Sequence, residues 1–206
     1  MEKNLTDLGQ VQTGRAVLFN LPNQLTTLRL FLSFVLFYLI SCEMWLASLA
    51  VFVVAAFTDW LDGYLARTQN MQSSLGRNLD PLVDKVLTCG AFIFLLPLGT
   101  TEGWLPPWMV TLVVARELLI TGLRNFIEQK GVSFGADWLG KIKMILQCGS
   151  LLAIFISLHA VQNKIPNEQF FVMVRNICIW GMLAATLLSG AQYLGKAFQT
   201  ILSERH

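Results

Sequence analysis

Six long, predominantly apolar blocks, at 25–41, 45–66, 79–98, 108–128, 138–159 and 170–194, leave this chain few ways to fold. A helix needs about 20 largely apolar residues to cross the hydrocarbon layer of a bilayer, and these blocks are separated only by short polar gaps. Just 14% of the 206 residues are charged, against about 25% in a soluble domain, so a large water-soluble core does not account for them. Inside lipid every backbone N–H and C=O must be satisfied within a helix or a closed barrel. The chain therefore reads as an all-α polytopic membrane protein of six transmembrane helices, with residues 1–206 forming a single domain free of linkers and repeats. Residues 1–21 lack the apolar run of a cleavable signal, so the first span is expected to direct its own insertion.

Pro97, Pro106 and Pro107, with Gly99 and Gly103, are expected to break the chain between the third and fourth spans, and Gly131 and Gly135 between the fourth and fifth. Trp45, Trp104, Trp108 and Trp138 fall near span ends, where amphipathic rings favour the headgroup layer. Before the first span, residues 21–29 mix polar and apolar positions and suggest a short interfacial helix. Lysine and arginine orient the bundle. Lys3, Arg15, Arg29, Arg67, Arg77, Lys130, Lys141, Lys143, Lys196 and Arg205 fall on one side; the opposite loops hold only Lys164, with Arg175 just inside the sixth span. Positive charge is retained in the cytoplasm, which puts both termini and the loop after Arg67 there.

Chemistry is concentrated where the second span closes and the third opens. Asp59 and Asp62 are three residues apart and Asp80 and Asp84 four apart, so each pair shares one helical face. A carboxylate at the bilayer centre costs about 2.5–3.5 kcal/mol even on insertion scales, and four of them need a common compensation. If the two spans are antiparallel neighbours, the four converge on one point, where a hard divalent cation with oxygen ligands relieves their repulsion. Gly63 and Ala66 share the face of Asp59 and Asp62 and leave a trough beside them. Pairing with Arg67, Arg77 and Lys85 explains any one aspartate but not the regular spacing of the set. Cys42, Cys89, Cys148 and Cys178 are widely spaced and His159 and His206 are isolated, which disfavours a zinc site or a serine–histidine hydrolase.

The run Asp59-x2-Asp62-Gly63-x2-Ala66-Arg67-x8-Gly76-x3-Asp80-x3-Asp84 resembles the signature of the CDP-alcohol phosphotransferases at every fixed position. The likeness extends from Asn23, Thr26 and Arg29 to Gly140, Lys141 and Lys143. It implies a six-helix, usually homodimeric fold in the bacterial inner membrane, with a cytoplasm-facing cavity where a CDP-linked donor gives up its phosphoalcohol and CMP leaves. By the same resemblance Asp59, Asp62 and Asp80 are metal ligands for Mg²⁺ or Mn²⁺. Asp84 is the general base, also near a metal, and Asn23, Thr26, Arg29, Gly63, Ala66, Arg67 and Gly76 bind CDP-diacylglycerol.

The stretch from Ala115 through Arg116, Glu117 and Gly122 to Arg124, together with Gly140-Lys141-Ile142-Lys143, is similar to the bacterial phosphatidylglycerophosphate synthases. That likeness implies glycerol 3-phosphate as acceptor. Arg116 and Arg124 lie eight residues apart within an apolar span, with only Glu117 to offset them, and arginine suits phosphate through bidentate hydrogen bonds. Arg116, Arg124, Lys141 and Lys143 are thus the expected acceptor-phosphate residues. Neutral acceptors such as serine do not need this cluster. A cation transporter also uses intramembrane carboxylates, but typically at midplane between repeats, which this chain lacks. Membrane lipids are expected partners and nucleic acid is not. The orientation is testable: in a cysteine-free background, a cysteine at Gln69 is expected to react with an impermeant thiol reagent only from the cytoplasmic side, and one at Thr101 only from outside. The reverse labelling refutes the arrangement.

Overall fold

The computed structural model describes residues 21–69, 74–129 and 138–203. They form six helices and, among the described residues, no strand: α1 (Leu21–Ser41), α2 (Trp45–Gln69), α3 (Ser74–Thr101), α4 (Pro107–Gln129), α5 (Trp138–Gln162) and α6 (Glu168–Ser203). Each corresponds to one of the six apolar blocks. Four stretches are long and apolar enough to span a membrane on their own: Gln24–Ser41, Leu82–Thr101, Trp138–Gln162 and Glu168–Ala197. In α2 the apolar stretch among the described residues is Trp45–Asp59, and α4 contains Arg116, Glu117 and Arg124. At 36 residues, α6 is about 54 Å long, well beyond the roughly 30 Å of hydrocarbon, so it must tilt or project from the layer.

Two local expectations change. Residues 21–29 are not a separate interfacial element; they run without a break into the first span as the opening turns of α1. Pro97 and Gly99 do not end the third helix, which continues to Thr101. A proline removes one backbone donor and crowds one carbonyl, and here the helix tolerates both. It stops instead at Gly103, whose φ of 78° only glycine adopts readily. The amides of Trp104 and Leu105 then both reach back to the carbonyl of Gly99, each at 3.0 Å. Pro107 opens α4, where a missing N–H costs nothing.

The bundle buries small polar groups and shows apolar ones to its surroundings. Leu28, Phe31, Phe34 and Tyr38 of α1, Leu118 and Leu119 of α4, and Ile177, Leu187 and Leu188 of α6 are exposed. Ser33, Ser48, Ser150, Ser157, Thr186 and Ser189 are buried. That distribution suits a lipid solvent, in which small hydroxyl residues let helices approach and hydrogen-bond. Ser150 of α5, for example, donates to the backbone carbonyl of Cys178 on α6 at 2.8 Å. The interior is filled by Leu36, Phe52, Phe92, Leu95, Met109, Ile154, Phe155 and Met182, contributed by all six helices. The four cysteines are all free.

Helices α1 and α5 each pack against both α2 and α3, while α6 packs on α5 and α4. The helices that carry the aspartates share α1 and α5 as partners, and the opening turns of α1 reach both Asp59 and Asp84 through Arg29. Gly90 of α3 allows the approach of α1: a Cβ there would lie 2.2 Å from Cζ of Phe37, whose ring stacks on Phe94 with centroids 4.8 Å apart. Overpacking of this kind typically costs about 1–3 kcal/mol. Gly90→Ala is therefore expected to lower the thermal midpoint in detergent, and Phe37→Leu in the same chain to recover part of the loss. Gly181→Ala, at an open position, serves as a neutral control.

Candidate active site

One face of α1 carries Thr26, Arg29 and Ser33, all buried and spaced to lie in one row along the helix. Arg29 is completely buried, and its Nη1 lies 3.0 Å from Oδ1 of Asp59 on α2 and 2.8 Å from Oδ1 of Asp84 on α3. The Ser33 hydroxyl donates to the Arg29 carbonyl at 2.8 Å. Carboxylates from two different helices therefore flank a single guanidinium nitrogen, so the convergence expected from their spacing holds for Asp59 and Asp84. Both remain about a third exposed, at 35% and 32%, and so are open to a ligand. Asp62 lies one turn further along α2 and Asp80 one turn earlier on α3; their side chains lie outside the described residues. The same holds for the side chains of Asn23, Ala66 and Arg67, while Gly63 and Gly76 fall in the same portions of α2 and α3. Arg29, expected in the nucleotide pocket, is placed against the aspartates themselves.

A second polar cluster lies where α4, α5 and α6 meet. Glu117 is buried, and its Oε1 accepts from Nη1 of Arg116 at 3.0 Å and from Nζ of Lys143. Lys143 is also buried. Two cations thus share one carboxylate, and the cluster carries a net positive charge. On the other side of Arg116, Nη2 donates to Oγ of Ser189 at 2.8 Å. Its Nε is buried without a hydrogen-bond partner, as are Nε2 of Gln147 and Oγ1 of Thr186. Leaving a buried donor unpaired typically costs about 1–3 kcal/mol, so this interior has polar capacity that its own side chains do not use. Helix α5, which carries Lys143, also packs against α2 and α3, the helices of Asp59 and Asp84.

Of the residues expected to hold an acceptor phosphate, the structure brings together Arg116 and Lys143. Lys141 and Arg124 are exposed. Lys143 is buried and paired with Glu117. Sequence reasoning passed over Ser189 and Tyr193 of α6. The signal was present: Thr186, Ser189, Gly190 and Tyr193 recur at helical spacing and put a polar stripe along an apolar span.

The sequence model of the CDP-alcohol phosphatidyltransferase family matches residues 19–188. A protein of Bacillus subtilis named CDP-diacylglycerol–glycerol-3-phosphate 3-phosphatidyltransferase is 31% identical over 200 residues, covering 89% of this chain and 98% of its own. Proteins of the same name from Rickettsia bellii and Shigella flexneri are each 34% identical, covering 84% and 90% of this chain and 93% and 99% of theirs.

Breaking a buried ion pair by removing one partner typically costs about 3–5 kcal/mol, because an uncompensated charge remains. Glu117→Leu, which leaves buried Lys143 and partly buried Arg116 without their carboxylate, is expected to lower the thermal midpoint in detergent sharply. Adding Lys143→Met should restore part of it, since one stranded charge is then gone. Equal or greater loss in the double variant contradicts the pairing.

Proposed function

Because the chain belongs to the CDP-alcohol phosphatidyltransferase family, we propose that it transfers the phosphatidyl group of CDP-diacylglycerol to glycerol 3-phosphate, giving phosphatidylglycerophosphate and CMP. The observation that carries this reading is the meeting of Asp59 and Asp84, from separate helices, on Arg29, with the net-positive Arg116–Glu117–Lys143 cluster on helices of which one, α5, packs against both aspartate helices. One polar centre suits the diphosphate of a donor, and the other a second anion. The whole chain acts as one domain, as a homodimer in the bacterial inner membrane with the site facing the cytoplasm.

The donor set at the first centre is carboxylate oxygen, which suits a hard cation such as Mg²⁺ or Mn²⁺. Asp59, Asp62 and Asp80 are the residues to hold it, with Asp84 at its edge, and when bound it neutralises the diphosphate and the departing CMP. Gly63, Ala66, Arg67 and Gly76, with Asn23 and Thr26, receive the cytidine nucleotide. Arg29 keeps Asp59 and Asp84 turned toward one point, which is positioning rather than chemistry.

Asp84 accepts the proton of the acceptor hydroxyl as that oxygen attacks the phosphatidyl phosphorus. The phosphorus–oxygen bond to CMP breaks, and CMP leaves with the bonding pair. Arg116 holds the acceptor phosphate away from the diphosphate, with Arg124 and Lys141 guiding the anion from the exposed side. Lys143 contributes indirectly, by drawing off part of Glu117.

Purified protein assayed with CDP-diacylglycerol and a panel of acceptors is expected to release CMP with glycerol 3-phosphate and not with glycerol, serine or inositol phosphate. EDTA should abolish turnover, and Mg²⁺ or Mn²⁺ restore it. Asp84→Asn should slow turnover by orders of magnitude while donor still binds. CMP release with a different acceptor instead moves the chain to another branch of its family.

A further inference from the structure

The residues assigned above to the acceptor all come from α4 and α5, yet the Arg116 guanidinium is held largely by α6. We propose that Ser189 and Tyr193 of α6 are positioning residues that set the orientation of Arg116 for the acceptor phosphate, an inference that rests on the acceptor reading given above.

Arginine recognises phosphate through a planar fork, and its worth there depends on the plane being fixed before the ligand arrives. Three contacts fix it. Nη1 is drawn to Glu117 Oε1 at 3.0 Å. Nη2 donates to Ser189 Oγ at 2.8 Å. The ring of Tyr193 lies 5.9 Å from the guanidinium carbon, within cation–π range. Ser189 is fully buried, and its own hydrogen is directed to the Thr186 carbonyl at 3.2 Å. That bond turns the hydroxyl lone pairs toward Arg116, so Ser189 serves as an acceptor for the guanidinium.

The backbone fits the same purpose. A Cβ at Gly190 would lie 3.4 Å from Cγ and 3.9 Å from Nε of Arg116, so the side chain runs closely over a residue that leaves it room. Serine, glycine and tyrosine at positions 189, 190 and 193 thus form a cradle on one face of α6. With both Nη atoms engaged at its edges, Nε is the buried donor left without a partner. Acceptor binding then depends on α6 although no α6 residue needs to touch the acceptor.

The test is a double-mutant cycle on the full-length enzyme in detergent with CDP-diacylglycerol and glycerol 3-phosphate. Ser189→Ala is expected to raise the acceptor KM roughly tenfold, in line with loss of a hydrogen bond to a charged group, and to leave the donor KM within about twofold. In an Arg116→Lys background the same substitution should add little, because the contact it removes is already gone. Tyr193→Leu forms a second arm and should raise the acceptor KM more than Tyr193→Phe, which keeps the ring. If Ser189→Ala fails to fold, the Tyr193 pair decides alone. Equal effects on donor and acceptor KM, independent penalties in the double variant, or no change in acceptor KM overturn the positioning role and leave the proposed activity standing. A wild-type enzyme that turns over no phosphate-bearing acceptor removes both.

Discussion

Arg29 is buried to the last square ångström of its side chain and is held by carboxylates from two other helices. A cation in such a place is unfavourable unless its charge is met, and the same is true of the two aspartates. Each group makes the others tolerable. The helix α1 is thus tied to α2 and α3 at the polar end by Asp59 and Asp84, and by Phe37 over Gly90 further along. Removing Asp59 or Asp84 takes away a counter-ion on which the docking of α1 depends.

The second cluster repeats the arrangement with a different balance. Arg116 and Lys143 share Glu117, so one positive charge is left over in a region of low dielectric, where an anion is attracted more strongly than in water. At the far end of the bundle the charges cancel. Arg175 lies over the ring of Trp104 at 4.5 Å and near Glu102 at 3.9 Å, and Glu102 also accepts from the Trp104 indole. That trio staples the α3–α4 connection to α6 and has no charge to spare.

The number, order and approximate limits of the helices were legible in the apolar blocks, since a run of such length has one main use. The aspartate spacing was legible too, because three and four residues are the intervals at which a helix presents a common face. What the sequence did not reveal depended on packing between elements. The position of Arg29 against both aspartates requires α1 to lie beside α2 and α3, and no periodicity in residues 21–41 says which neighbours it will have. Lys143 looked like Lys141 on the page, but its offset of two places it on the buried side, against Glu117. Pro97 read as a breaker because proline usually is one; the actual terminus waited for a glycine able to take a positive φ. Ser189 and Tyr193 passed for ordinary residues of an apolar span until Arg116 was seen between them.

The face of α1 opposite Arg29 carries Leu28, Phe31, Phe34 and Tyr38, all exposed. A few ångströms of helix thus separate the carboxylates from the surrounding acyl chains. A lipid whose headgroup is processed here can keep its tails dissolved in the bilayer throughout, so the leaflet itself completes the pocket and no protein tunnel has to match the tails. Occupancy by such a lipid is then governed by its mole fraction in the two-dimensional film rather than by its concentration in bulk. The water-soluble reactant obeys ordinary three-dimensional mass action. One catalyst therefore answers to two different concentration scales, with α1 as the boundary between them.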